Sequence, residues 1–235
     1  MKKTMQWMAV LTAGFMLIAC NATTGEEKAV APVVSVETEK QEENHDDHAH
    51  KTNENAQKIY DGYFDDNQVA DRALMDWAGD WQSVYPYLLD GTLDEVFHHK
   101  AANNDSMDFD AYKEYYTVGY VTDVNRIIIK ENGDVTFYEN GHTHTGNYVY
   151  DGYEVLTYEK GNRGVRYIYK LAEVTEGMPT YIQFSDHIIA PQQSGHYHLY
   201  WGNDRAQLLE EVTNWPTYYP TSMDGHTIAH EMIAH

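Results

Sequence analysis

Apolar and polar residues alternate with a period of two through most of the second half of the chain, a pattern typical of strands with one buried face. The alternating segments are short, and dipeptides that favour tight hairpins, such as Asn132-Gly133 and Asn140-Gly141, separate them. Six such segments followed by one more hairpin predict an antiparallel meander closed into a mainly β barrel. The predicted strands are Tyr116–Tyr120, Arg126–Lys130, Val135–Tyr138, Asn147–Tyr150, Tyr153–Tyr158 and Val165–Leu171.

Helical spacing is found on both sides of this alternating region. Apolar residues recur at roughly helical intervals from Asn67 to Asp80, and asparagine is a residue type that caps helices. Three more segments predict short helices, and Pro and aromatic residues between the last two predict a rigid loop. The helices are Leu93–Phe97, Asn203 to about Asn214 and Asp224 to His235, and the loop is Trp215–Pro220.

The additional hairpin, over residues 181–201, carries three histidines. Two aromatic and β-branched segments, Tyr181–Phe184 and His196–Trp201, flank a turn at Ala190–Gly195. Because side chains in a strand alternate between faces, His196 and His198 point the same way. Antiparallel pairing across the turn then sets His187 roughly opposite His196. Three imidazoles therefore converge at the barrel mouth, as a zinc-type cation requires.

Two interpretations of this hairpin remain open. A His-x-His pair alone is common on packed or exposed strands that bind no metal. A third histidine at hairpin distance, with Asp186 beside it as a possible acceptor for a ligand ring, favours the metal site. We therefore take His187, His196 and His198 as the candidate metal ligands.

Other histidines occur in patterns that predict weaker sites or none. Three of them lie in a polar segment, which suggests a segment that binds metal with low affinity. A pair at a hairpin tip and the neighbours His98 and His99 are expected on the surface. His230-Glu231 resembles the start of a metalloprotease motif, but the required second histidine is replaced by Ala234. The polar-segment histidines are His45, His48 and His50, the hairpin pair is His142 and His144, and His226 lies one helical turn before His230.

The first 20 residues have the features of an export signal. Two lysines precede an apolar run, and the run ends in Leu17-Ile18-Ala19-Cys20, a pattern similar to a bacterial lipobox. Cys20, the only cysteine of the chain, would then be the acylated first residue of a lipoprotein. An ordinary cleaved signal is the alternative, and both place the protein in the bacterial cell envelope, periplasmic or extracellular.

Composition divides the rest of the chain. Residues 21–57 contain no aromatic residue and predict a disordered, acidic and histidine-containing tether, whereas residues 58–235 predict the folded domain. A formal net charge of -21 argues against nucleic acid and anionic membrane surfaces as partners and favours cations. A single cysteine excludes an intramolecular disulfide, so packing has to hold the barrel together.

Four longer motifs resemble one protein family: Asp76–Pro86, Gly164–Tyr167, Tyr181–His187 and Asn214–Tyr219. They run in order from about Tyr60 to His235 and are similar to the ZinT (YodA) family, whose module also forms the C-terminal part of AdcA-type zinc-binding lipoproteins. The resemblance implies a lipocalin-like (calycin) barrel with added helices, and it carries the family's metal triad onto His187, His196 and His198.

The same resemblance implies an extracytoplasmic protein that scavenges or chaperones Zn²⁺, and sometimes Cd²⁺, for uptake. With no solute-binding domain attached, delivery to an ABC importer would need a separate solute-binding partner. A zinc-dependent hydrolase or lyase using the same three histidines is the alternative, although no general base stands at motif spacing and no catalytic residue is assigned. A lipocalin-style carrier is a third hypothesis, which inward-facing aromatic residues disfavour.

Overall fold

The computed structural model describes residues 54–104, 106–210 and 213–234. The predicted signal segment with Cys20, the tether histidines His45, His48 and His50, and most of the tether lie outside this part of the chain. Within it, none of the helices has the length and apolar character needed to cross a membrane.

Eight strands form a closed barrel in which every strand pairs antiparallel with its neighbours in sequence and β1 pairs with β8. The predicted antiparallel barrel is therefore confirmed. Closure leaves no unpaired strand edge in the sheet. The strands are β1 Gly79–Ser83, β2 Val124–Ile129, β3 Asp134–Glu139, β4 His142–Thr157, β5 Arg163–Leu171, β6 Tyr181–Ser185, β7 Tyr197–Gly202 and β8 Thr217–Pro220.

Helices precede the barrel, interrupt it after β1 and follow β8. Side-chain caps fix the start of two of them: Asp108 accepts from the backbone N–H of Ala111 at 2.9 Å, and Asp224 accepts from that of Thr227 at 2.8 Å. The helices are α1 (residues 54–60), α2 Tyr85–Leu89, α3 Asp94–Asn103, α4 Phe109–Tyr120 and α5 Gly225–Ala234, with 3₁₀ turns at Asp66–Gln68, Leu74–Trp77 and Gln207–Leu209.

Apolar side chains form two separate cores. The larger one fills the barrel interior, where aromatic rings stack on each other; Trp77 and Phe184, for example, have centroids 4.7 Å apart. The smaller one lies between the helices and the outer wall of the barrel, and β8 contributes Tyr219 to this smaller core. The helices thus cover one side of the wall, and the functional site lies beside this cover.

Three segments differ from the predicted elements. The predicted helix from Asn67 to Asp80 is wrong, because only two short 3₁₀ turns form there before β1 begins. Tyr116–Tyr120 is the end of helix α4 and not a strand, since tyrosines at 112, 116 and 120 recur at the helical interval of four. The loop predicted at Trp215–Pro220 contains β8, the strand that closes the barrel.

Two further boundaries were wrong. The segments Asn147–Tyr150 and Tyr153–Tyr158 belong largely to the single strand β4, which continues through an irregularity in register between Tyr150 and Tyr153. Of the described residues between Asn203 and Asn214, only the turn Gln207–Leu209 is helical. The carboxylate of Asp204 accepts from the N–H groups of Ala206 and Gln207, which satisfies the start of a turn without a longer helix.

Candidate metal site

The strand β7 carries His198 on the outer face of the barrel. Its neighbours Tyr197 and Leu199 belong to the barrel interior, so alternation turns His198 outward. His198 lies opposite Ser185 of β6 and opposite Thr217 of β8. His196 precedes β7 by one residue, and its ring lies on the same side as that of His198. The sequence suggested a site at the barrel mouth, but the rings lie outside the wall.

His187 follows β6 in the loop that leads to β7. Its backbone has a φ of 62°, in the left-handed region that few residues other than glycine adopt. If the register of β6 and β7 is continued past Ser185 and His198, His187 stands opposite His196, as the hairpin argument predicted. The ring of His187 stacks on that of Tyr60 in α1, with centroids 4.3 Å apart.

The three rings form a nearly equilateral triangle. Their centroids are 6.3 Å apart for His187 and His196, 6.0 Å for His187 and His198, and 6.2 Å for His196 and His198. Three imidazoles on one zinc ion, with Zn–N distances of about 2.0–2.1 Å, would have centroids about 5–5.5 Å apart. Among the described residues, no group of three or more His, Cys, Asp or Glu side chains is already gathered at metal-binding distance. Closing the triangle requires inward ring movements of about 0.5 Å.

Hydrogen bonds fix which nitrogen of two rings carries the proton. Nδ1 of His187 lies 3.0 Å from the carbonyl oxygen of Tyr60, which can only accept, so Nδ1 of His187 donates. Nδ1 of His198 lies 2.7 Å from the Thr217 hydroxyl, whose own proton is donated to the carbonyl of Trp215 at 2.9 Å. Both bonds of that hydroxyl exist together only if His198 donates through Nδ1. Nε2 therefore holds the lone pair in both rings, as a metal ligand requires.

Electrostatics also favours the neutral form of His198. Burial, followed by the neighbouring His187 and His196 and then by Arg166, lowers the pKa of His198 well below its usual value. A neutral imidazole is the form that binds a metal ion. Its lone pair is thus available over a wide pH range.

A cavity of about 360 Å³ adjoins the three rings. Helices α3, α4 and α5 supply one side of it, and β8 supplies Thr217 and Tyr219. The ring of His196 stacks on Tyr219 with centroids 4.9 Å apart and an angle of 10° between the planes. Lys100 is the one lysine or arginine among the lining residues. The rings are therefore reached through an aromatic-walled cleft that admits a hydrated ion.

Sequence comparison identifies the protein family. The family described as "ZinT (YodA) periplasmic lipocalin-like zinc-recruitment" matches residues 55–235. This chain belongs to the ZinT family. The resemblance found in the sequence motifs is thereby confirmed, as is the lipocalin-like fold. The family consists of zinc-binding proteins and not of enzymes, and its description places it in the periplasm.

Named relatives of this ZinT chain are also metal-binding proteins. The probable metal-binding protein YrpE of Bacillus subtilis (strain 168) is 63% identical over 182 residues, which cover 77% of this chain and 72% of YrpE. The zinc-binding lipoprotein AdcA of Streptococcus pneumoniae (strain ATCC BAA-255 / R6) is 47% identical over 183 residues, 77% of this chain and 36% of AdcA. The chain therefore spans little more than a third of AdcA.

A solved structure supports the same assignment. The crystal structure of the Zn(II)-bound ZinT-like domain of Streptococcus pneumoniae AdcA matches with a TM-score of 0.72 and 47% identity, covering 74% of this chain and 97% of that domain. The crystal structure of Zn(II)-bound AdcA matches with a TM-score of 0.73 over 75% of this chain and 38% of AdcA. Both relatives hold Zn(II).

A buried arginine holds the histidine-bearing loop of this ZinT fold in place. The side chain of Arg72 is fully buried and pairs with Asp186 at 2.7 Å and with Asp76 at 3.0 Å. It also donates to the carbonyl of Gln192 at 2.7 Å, and its guanidinium lies 3.9 Å from the centroid of the Trp77 ring. These contacts explain why the segment around Arg72 is extended instead of helical.

Asp186 has a different role from the predicted one. Its carboxylate accepts from Arg72, from the indole N–H of Trp77 at 3.1 Å and from the backbone N–H of Ile188 at 3.2 Å. It therefore anchors the loop and does not orient an imidazole. The groups that orient the rings of His187 and His198 are the Tyr60 carbonyl and the Thr217 hydroxyl, and no sequence pattern indicated either of them.

Backbone hydrogen bonds attach the same loop along its length. Ala70 donates to the carbonyl of Ile189 at 2.9 Å, and Ser194 donates to the carbonyl of Asp76 at 2.8 Å. The N–H of Gln192 donates to the Asp76 carboxylate at 3.2 Å. The chain between His187 and His196 is thus fixed to the segment before β1, which sets the spacing of the two histidines.

The remaining described histidines lie away from the triangle. None of these six histidines is among the described residues that line the cavity beside the three rings. Those on α3 are exposed, as expected. Those on α5 are also exposed, and His226 lies 3.6 Å from Glu95. The other pair begins β4, with ring centroids 6.4 Å apart. The residues are His98, His99, His142, His144, His226 and His230.

Proposed function

We propose that this ZinT chain captures one Zn²⁺ ion outside the cytoplasm through Nε2 of His187, His196 and His198. The observation that carries the proposal is the triangle of rings about 6 Å on each side, in which hydrogen bonds at Nδ1 turn Nε2 of two rings into lone-pair donors. Zinc is bound in proteins by such neutral imidazoles at about 2.0–2.1 Å. The Zn(II)-bound ZinT-like domain of AdcA supports the same ion.

The ligand set suits transfer of the ion better than permanent storage. Three neutral imidazoles leave a tetrahedral zinc ion with a fourth position for water or a carboxylate. All three histidines line the cleft, which gives access to the site. A metal-accepting protein that approaches through the cleft can supply a ligand at this fourth position before the three histidines release the ion. Imidazole also binds other divalent transition metals, so Cd²⁺ is a second candidate cargo.

The proposal also concerns where the protein is located. Acylation at Cys20 would tether the domain to the envelope membrane, and a separate importer solute-binding protein would receive the metal. Cys20 lies outside the described residues, and the anchor and the importer stay predictions. They are consistent with relatives named zinc-binding lipoproteins.

Alanine substitution tests the ligand assignment. His196→Ala and His198→Ala should each abolish stoichiometric zinc binding in calorimetry and in competition with a chromogenic chelator, because two imidazoles alone cannot hold zinc tightly. His226→Ala with His230→Ala is the matched control, since both residues are exposed on α5 and outside the cleft. Circular dichroism checks the fold. Unchanged affinity in both single variants would place the zinc elsewhere.

A further inference from the structure

Among the described residues, one arginine near the histidines has no carboxylate partner. The sequence contains five arginines, and Arg72, Arg126, Arg163 and Arg205 each pair with an aspartate or glutamate. Within the described part of the chain Arg166 has no such partner, although it is 2% exposed. Its Nε and Nη1 are buried there without a hydrogen-bond partner. A buried, uncompensated charge is expensive, so its position calls for a reason.

The register of the barrel places Arg166 in one row with a candidate ligand. Tyr167 of β5 lies opposite Phe184 of β6, so the next position sets Arg166 opposite Ser185. Ser185 in turn lies opposite His198 of β7. Neighbouring strands are about 4.8 Å apart, which puts the Cα atoms of Arg166 and His198 about 10 Å from each other. Side chains in such a row point to the same side, here the outer face.

The contacts of Arg166 keep its charge at this place. Its guanidinium carbon lies 3.3 Å from the centroid of the Tyr200 ring, and Tyr200 lies two residues beyond His198 on the same face of β7. Glu154, directly opposite Arg166 on β4, accepts instead from Arg205 at 3.0 Å. The nearest carboxylate in the ladder is therefore engaged by another arginine.

We propose that Arg166 is a fixed positive charge that lowers the affinity of the three-histidine site for divalent cations. The proposal rests on the function proposed above. A dication feels twice the repulsion of a single charge, and burial leaves little water to screen it. Because a zinc-recruitment protein must also release its ion, a charge that lowers the affinity for the ion favours this release.

Removal of the charge should tighten zinc binding, the opposite of what damage to the site would do. For a separation of about 8–10 Å and an effective dielectric constant between about 20 and 80, we expect Arg166→Met to lower the zinc Kd by about fourfold or more. The melting temperature should stay the same or rise, since an unpartnered buried guanidinium is lost. Arg166→Gln provides a second, polar variant if the methionine variant folds poorly.

The control variant is Arg126→Gln, which removes one charge from an exposed, paired arginine on β2 and should leave the zinc Kd unchanged. Competition titration with a zinc chelator measures all variants in the full chain. An unchanged or higher Kd in folded Arg166→Met and Arg166→Gln would overturn the inference. Loss of zinc binding in the His196 and His198 variants is measured separately, so the failure of the proposed site and the failure of this inference are distinguishable.

Discussion

The hydrogen bond between Thr217 and His198 offers a sharp test of the site. In Thr217→Val the shape of the side chain is kept, but the oxygen that accepts from Nδ1 at 2.7 Å is lost. The imidazole can then move its proton to Nε2, the nitrogen proposed to bind zinc. When zinc binds at Nε2, that proton has to return to Nδ1, which no longer has a hydrogen-bond acceptor.

The expected magnitude follows from this buried bond. Thr217 is 1% exposed, and leaving a buried donor without a partner costs about 1–3 kcal/mol. Loss of a group that orients a metal-bound histidine typically lowers affinity about 10–100-fold, which corresponds to about 1.4–2.8 kcal/mol. The two ranges agree, so we expect the zinc Kd of Thr217→Val to rise by about one to two orders of magnitude.

Competition with a fluorescent zinc chelator at pH 7.5 measures this change. Thr217→Ser keeps the hydroxyl and should bind zinc within about threefold of the unmodified protein, whereas Thr217→Val should not. Urea denaturation without metal reports separately on the fold. A valine variant with the same zinc Kd as the serine variant would refute the argument that Thr217 sets the tautomer of His198.

Two more predictions concern stability. Arg72→Met leaves the Asp186 carboxylate buried without its cation and should lower the free energy of unfolding by about 3–5 kcal/mol in urea titrations; a loss below about 1 kcal/mol would contradict the anchoring role. The pKa of His198 is lower in the folded chain than its usual 6.5, so below about pH 6.5 the unfolded chain binds a proton that the folded chain does not. Stability should therefore fall as pH drops from about 6.5 toward the folded pKa, by up to about 1.4 kcal/mol per unit, and His198→Gln should remove this part of the slope.

The parts of the fold that the sequence predicted are those set by neighbouring residues. Strands β2, β3 and β5 combine period-two alternation with Gly-containing turns, and both signals act over a few residues. The candidate triad was predicted for the same reason. His196 and His198 share a face by local geometry, and one hairpin brings in His187.

The errors occur where distant contacts decide the conformation. The segment around Arg72 has helical spacing, but its backbone and side-chain groups bond to the loop after β6, more than 110 residues away. Tyr116–Tyr120 alternates like a strand, yet Tyr112 and Tyr120 bury one helical face against the outer wall of the barrel. β8 is four residues long and becomes a strand only because β1 and β7 flank it.

The anchored loop also determines how the site can close on an ion. His187 holds a left-handed backbone conformation, which costs about 1–3 kcal/mol and persists only where surrounding contacts impose it. Here the contacts of Arg72 with Asp186 and with the Gln192 carbonyl impose it. The rings need to move by only about 0.5 Å to reach zinc distances, which rotations about the side-chain bonds can supply. The strained backbone can therefore stay in place, because side-chain rotation is sufficient to bring the ring centroids to the spacing that three zinc-bound imidazoles would have.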